Sequence, residues 1–265
     1  MNQDERRVWL IKRLLDERGE WDHVRMPVDA DGQRELLRAL FNIRPPQPID
    51  QEFLSIQDAY LGERIRERGI RQVSELEPPR GTADGERIVL WRGDITTLAV
   101  DAIVNAANSQ LLGCFVPGHH CIDNAIHTFA GVQLRLECAR IMREQGHEEP
   151  TGQAKITPGF NLPAKHVVHT VGPIVYGRTP SARDELLLRS SYRSCLEVAD
   201  QAGCESLALC CVSTGVFHYP NELAARVALD EVRAYVSEAR SNLLVVFNVF
   251  LEQDEHIYQK LLAQT

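Results

Sequence analysis

The stretch VDAIVNAANSQLLGCFVPGHHCIDNAIHTFAG, residues 100–131, decides how the chain is read. It begins with a short apolar run typical of a buried strand, continues through a turn-rich loop, and ends with apolar residues at helical spacing. The loop carries Cys114, His119, His120 and Cys121, and Asp123 and Asn124 stand where the helix begins. Soft metal ligands, a carboxylate and a helix N-terminus therefore share one short segment, which marks it as a candidate active site.

Working outward toward the C-terminus, apolar runs alternate with helical periodicity. Strands are expected at 88–91, 102–104, 166–171, 206–212 and 243–251. Helices are expected at 122–145, 184–202, 222–239 and 255–263. Strands that are apolar without alternation, separated by helices, imply a sheet covered on both faces, so the expected class is three-layered α/β/α. Ligands of such sheets bind at the carboxyl ends of strands.

Toward the N-terminus the pattern is helical throughout. Val8, Leu10, Ile11, Leu14 and Leu15 predict one amphipathic helix, and Leu36, Leu37, Leu40 and Phe41 a second, ended by the prolines of NIRPPQP. Phe53, Leu54, Ile56, Tyr60, Leu61 and Ile65 predict a third, with Asp50 as its cap. The Pro- and Gly-rich EPPRGTADGE, residues 77–86, reads as a connector. This divides the chain into a helical extension, 1–80, and a main domain, 81–265, with the boundary near Arg80. The extension shows no cluster of chemically active residues and is expected simply to pack on the main domain.

Composition narrows the function. The chain has 265 residues, 44% hydrophobic and 25% charged, with a formal net charge of −8. That balance argues against coating nucleic acid or an anionic membrane. An anionic ligand is then expected to rest on local backbone amides. No apolar run reaches the roughly 20 residues that span a bilayer, and MNQDERRVWLIKRLL has charges where a signal peptide is apolar. Seven cysteines in strand, helix and loop contexts read as reduced thiols of a cytoplasmic protein. Cys138, Cys195, Cys204, Cys210 and Cys211 are expected in the core, as are His127 and His169.

Three further loops follow predicted strands. In Arg92-Gly93-Asp94-Ile95-Thr96, Asp94 is placed either to accept from an exocyclic amine or to cap a helix. In Asn105-Ala106-Ala107-Asn108, small residues admit a ligand closely and two amides offer donors and acceptors. Ser213-Thr214-Gly215-Val216-Phe217 joins a strand to a helix, the arrangement that aims backbone amides at phosphate, and Phe217 is placed to stack on a sugar. Together these loops suit a nucleotide diphosphate.

GDIT, VDAIVNAAN, IDNAIHTFAG, TGQAKITPGFNLPAKHVVHTVGP and STGVFHYP, in this order, resemble the macrodomain family, the ADP-ribose-binding modules, over roughly residues 88–262. The resemblance implies a mixed central sheet. It implies that Asp94 holds the adenine amine, Ile95 lies beside the adenine, Ser213, Thr214, Gly215, Val216 and Phe217 cradle the diphosphate, and Asn108 and Asp123 face the distal ribose. Where common hydrolytic macrodomains have glycines before a Val-Asp pair, this chain has CFVPGHHCID. It also has His218 where many have Gly. The longer segment resembles the zinc-dependent subfamily of microbial pathogens, whose members also carry a helical N-terminal extension. That resemblance implies Zn2+ held by Cys114, His119 and Cys121, with His120 outside the ligand set. It implies a mono-ADP-ribosylated protein as substrate, plausibly a lipoyl-carrier protein, and a functional link to a sirtuin-type ADP-ribosyltransferase.

The expected function is removal of ADP-ribose from an Asp or Glu carboxylate, with Asp123 and Asn108 as catalytic residues. Either the metal activates water, or it binds the ribose or leaving carboxylate while Asp123 orients the water. A non-catalytic ADP-ribose-binding module and an O-acetyl-ADP-ribose deacetylase are the alternatives.

Overall fold

In a computed structural model of the chain, residues 1–19, 24–77, 87–177 and 179–264 are described. The boundary expected near Arg80 lies outside them.

The N-terminal region is three helices, α1 (Gln3–Arg18), α2 (Ala30–Ile43) and α3 (Gln51–Arg68). Each starts on a side-chain cap. Asn2 and Glu5 form a capping box before α1, Asp29 accepts from Gly32 N–H, and Asp50 accepts from Phe53 N–H as expected. The apolar faces converge in one core of Leu10, Leu14, Leu37, Phe41, Phe53 and their neighbours, which extends onto Val132 of the main domain. Beyond α3, the two-residue strand β1 (Arg71–Gln72) pairs in parallel with β3 (Leu98–Ala99). The extension is thereby joined to the main domain by backbone as well as side chains.

The main domain is a six-stranded sheet among the described residues. Its strands are β2 (Ile88–Arg92), β4 (Ala102–Ala106), β5 (Ala154–Pro158), β6 (His166–Thr170), β7 (Ser206–Leu209) and β8 (Leu244–Val249), in the order β2-β8-β7-β4-β6-β5. All neighbours are parallel except β5, which runs antiparallel to β6 at one edge, so the sheet is mixed. Every residue of β7 is buried, which requires cover on both faces. That cover comes from α4 (Ile122–Ala130), α5 (Val132–Gln145), α6 (Ala182–Gln201), α7 (Asn221–Ala239) and α8 (Glu252–Leu262).

Three details differ from the sequence reading. The helix expected over 122–145 is two, because Gly131 lies at φ 92 and a Cβ there would come within 2.6 Å of the Gln57 side chain. The break lets Val132 N–H donate to Gln57 Oε1 of α3 at 3.0 Å, so it is also where the extension docks. β7 stops at Leu209, and residues 210–212 turn toward the loops. β5 has no counterpart among the strands expected from the sequence. Among the described residues no helix is long and apolar enough to cross a membrane.

Candidate functional site

A cleft of about 260 Å³ opens at the carboxyl ends of β4, β7 and β8. Ala106 ends β4 and Ala107 follows it, and Ser213, Thr214, Gly215, Val216 and Phe217 lie in the turn after β7. His120, Cys121 and Ile122 mark the start of α4. Small side chains at the base allow close approach of a ligand to backbone.

The turn after β7 has an unusual backbone. Ser213 and His218 both have positive φ, 66° and 58°, in a region that L residues adopt at a cost. Tyr219 N–H to Ser213 O and His218 N–H to Gly215 O, both 3.0 Å, close the turn. Among the described residues the N–H groups of Gly215, Val216 and Phe217 find no acceptor, and the buried Ser213 hydroxyl has no partner. Donors gathered and left open on a strained turn form an anion seat.

The opposite wall comes from the end of the chain. Asn248, Phe250, Leu251 and Asp254 line the cleft, Phe250 being 73% exposed. Sequence reading missed all four, together with Gly172. Their only signal was position at the carboxyl end of a predicted strand.

Cys114, His119 and Cys121 come together. Cys114 Sγ lies 3.5 Å from His119 Nδ1, and ligand atoms of the three residues lie within 4.8 Å of one another. Two thiols and an imidazole at this separation fit a tetrahedral zinc ion with one position left open. The histidines divide, since His119 joins the thiols and His120 lines the cleft. Cys121 belongs to both groups and connects them. The helix end donates Asn124 N–H to Cys121 Sγ at 3.4 Å, but burial outweighs it and pushes the thiol up to about 12.

The other expected residues lie outside the lining of the cleft. Asp94 caps the short helical turn Ile95–Thr97 through Thr96 N–H and forms an ion pair with Arg68 of α3. Its side chain remains about a third exposed, whereas Ile95 is buried. Asn108 spends its side chain on the loop, donating to Gly113 O at 3.2 Å and accepting from Gln110 N–H at 3.0 Å. Asp123 is turned into the protein, 4% exposed, and accepts from Asn105 Nδ2 at 2.8 Å. Burial raises its carboxyl to about 6, against the Asn105 hydrogen bond and the nearby Arg135 charge. Neither Asn108 nor Asp123 lines the cleft: the Asn108 amide is spent on its own loop, and Asp123 Oδ1 on Asn105.

Beneath Asp123 lies a second convergence of ligand-type side chains, His127, Cys138 and His169, all buried. His169 already has partners on both nitrogens, Asn105 Nδ2 at 3.1 Å and Thr157 Oγ1 at 2.9 Å. His127 Nε2 is 3.5 Å from Asp123 Oδ1. Both rings are buried as expected, but only His169 is hydrogen-bonded; neither ring nitrogen of His127 has a hydrogen-bond partner. Burial lowers His169 to about 4 and takes His127 well below its ordinary value.

Acid sensitivity follows from that core. An unfolded histidine protonates near pH 6.5, whereas native His169 stays neutral down to about pH 4. Between these values the unfolded state holds the extra proton, so stability falls as pH drops, by about 3 kcal/mol for one such ring. Asp123, raised to about 6, works in the opposite sense below that pH, because there the native state holds its extra proton, so the His169 contribution is read as a difference between proteins. In urea unfolding between pH 7 and 4, the fall on acidification should be smaller in His169→Gln than in wild type, by up to one proton in slope. An identical slope in the variant would refute the assignment.

Comparison with known proteins agrees with this geometry. The Macro domain family model matches residues 104–228. The chain is 56% identical over 263 residues to a Treponema medium protein named "Protein-ADP-ribose hydrolase", covering 99% of this chain and 100% of that relative. It is 41% identical to a Fusarium oxysporum f. sp. cubense protein named "Probable bifunctional ADP-ribose hydrolase/ADP-ribosyltransferase", over 86% of this chain but 40% of the larger protein. Among solved structures, the Trypanosoma brucei macrodomain in complex with ADP-ribose superimposes with a TM-score of 0.65 at 32% identity, covering 84% of this chain and 94% of that one. With its mixed sheet and strand-end loops, the chain belongs to the macrodomain family.

Proposed function

We propose that the chain is a protein-ADP-ribose hydrolase that removes single ADP-ribose groups from Asp or Glu side chains, with zinc as cofactor. The names of its relatives support the hydrolase. The observation that carries the substrate is the turn at 213–218, whose open N–H groups and unpartnered Ser213 hydroxyl face a cleft of nucleotide-binding character. There the diphosphate rests on Gly215, Val216 and Phe217, and the Phe217 ring stacks on a sugar. Asp94, held by Arg68 and Thr96, accepts from the adenine amine, and Ile95 packs beside that end.

Cys114, His119 and Cys121 are the residues that hold zinc, and Cys121 places them at the ribose end because it also lines the cleft. Zinc there supplies Lewis acidity next to the bond to be broken. Asn108 serves the distal ribose by shaping the loop between β4 and the metal ligands. Asp123 is the carboxylate at the start of α4. For it to act as a base toward water, its oxygen must leave Asn105 and reach the cleft.

The modified protein is proposed to be a lipoyl-carrier protein, and its modifier a sirtuin-type ADP-ribosyltransferase. The fused hydrolase and transferase named in Fusarium oxysporum f. sp. cubense is consistent with such a link. The cytoplasm is the proposed location, in keeping with free cysteines throughout the described residues.

The test is turnover on three substrates: protein mono-ADP-ribosylated on Asp or Glu, protein modified on Ser, and O-acetyl-ADP-ribose. Release of free ADP-ribose from the carboxylate-linked protein, well above that from the serine-linked one, is expected. Tight ADP-ribose binding without release from any protein would make the chain a reading module, and release of acetate alone a deacetylase.

A further inference from the structure

The loop that carries Cys114 and His119, residues 111–121, contains no helix or strand. Ordering such a segment costs conformational entropy that a metal must offset on binding, unless the protein has already fixed the loop. Five of its backbone groups are fixed by side chains, one of them, Gly113 O, by the neighbouring Asn108. Arg135 Nε donates to Leu112 O at 2.6 Å, and Asn124 Nδ2 to Val116 O at 3.0 Å. Gly118 N–H donates to Asn42 Oδ1 at 3.0 Å, and Arg38 Nη2 donates to His119 O at 3.0 Å. Arg38 and Asn42 belong to α2, spaced four residues apart and so on one face of that helix.

Their other bonds reinforce the arrangement. Arg38 reaches Asn124 Oδ1 through Nε at 3.1 Å and Nη2 at 2.9 Å, and Asn124 in turn gives its backbone N–H to Cys121 Sγ. Asn42 Nδ2 donates to Thr128 Oγ1 at 2.9 Å, anchoring the contact on α4. One guanidinium thus touches the carbonyl of one proposed ligand and, through Asn124, the sulfur of another.

We propose that Arg38 and Asn42 of the helical extension are positioning residues for the metal-binding loop. The extension then completes the site instead of merely packing beside it. This inference rests on the reading of Cys114, His119 and Cys121 as zinc ligands. It adds that their preorganisation comes from α2, a segment more than 70 residues earlier in the chain.

The test uses full-length protein, with zinc affinity measured by chelator competition and ligand geometry by the thiolate-to-metal and d–d bands of the cobalt-substituted form. ADP-ribose affinity by calorimetry on the metal-free samples reports folding of the cleft, which neither Arg38 nor Asn42 lines. Arg38→Ala and Asn42→Ala should each weaken zinc binding by roughly 10–100-fold, as loss of an outer partner of a metal ligand does. The cobalt bands should change while ADP-ribose affinity stays within about twofold of wild type. Arg38→Lys, which keeps one donor but loses the fork, should fall between wild type and Arg38→Ala. If Arg38→Ala fails to fold, Asn42→Ala and Arg38→Lys decide the matter. Wild-type zinc affinity and cobalt bands in the variants would overturn the positioning role alone. Absence of thiolate bands in wild type would overturn the zinc reading and this inference with it.

Discussion

Protein stripped of zinc by a strong chelator should lose hydrolysis by on the order of 100-fold or more, while ADP-ribose binding largely persists. The size of the loss is what removing a few kcal/mol of charge stabilisation at the reacting bond amounts to. Binding persists because most of the cleft wall, from Ser213 to Phe217 and from Asn248 to Asp254, is remote in sequence from the metal loop and independent of it. The ligand variants should differ in an informative way. Cys114→Ser and His119→Ala remove proposed ligands that do not line the cleft, so they should lose zinc and turnover with little change in ADP-ribose affinity. Cys121→Ser removes a ligand that also forms cleft wall, so it should lose turnover with a modest change in affinity. His120→Ala should retain zinc by elemental analysis, because His120 stands apart from the ligand group. Zinc added back to chelated wild type should restore turnover while the thiols remain reduced. Metal-free protein, verified by elemental analysis, that hydrolyses at the untreated rate would overturn the zinc mechanism.

Gly215→Glu should all but abolish ADP-ribose binding and leave the fold intact. Gly215 lines the cleft, its φ is not in the left-handed region, and a Cβ built on it meets nothing within 4 Å. The variant therefore needs no backbone rearrangement, and stability should stay within about 0.5 kcal/mol of wild type. The new carboxylate, however, would stand on the amides assigned to the diphosphate. Each charge-assisted hydrogen bond lost is worth roughly 1.5–3 kcal/mol, and repulsion between the glutamate and the phosphates adds to that. Two such losses correspond to an affinity decrease of about 100-fold or more. Calorimetry that finds unchanged affinity, in a variant with an unchanged urea midpoint, would remove the turn from the binding site.

Much of the site was legible because it is local. Cys114, His119 and Cys121 fall within eight residues, so loop closure alone keeps them near one another, and the structure draws their ligand atoms together. The turn at 213–217 was legible for the same reason, since strand, small residues and helix follow directly in sequence. The orientation of Asp123 was not. It occupies the first turn of α4 beside Ile122, which faces the cleft, and apolar periodicity does not resolve which neighbour turns inward. Asn105 settles that by offering its amide from β4.

The same division holds for the whole chain. The sequence alone determined the α/β class, the three helices of the extension and the strand-end loops that form the candidate site. Apolar periodicity, caps and turn residues act over a few positions, and they need no knowledge of distant contacts. Tertiary structure decided what long-range pairing must decide. It placed β5 antiparallel on the sheet edge, split the helix at Gly131 to seat Gln57, and brought Asn248, Phe250, Leu251 and Asp254 into one cleft with the turn at 213–217. It also brought an extension without an evident chemical cluster onto two of the candidate segments, through Arg68 on Asp94 and Arg38 and Asn42 on the loop at 111–121. An arginine on a helix looks alike in sequence whether it faces water or a carbonyl 81 residues away, and only the packing of α2 and α3 against α4 distinguishes the two.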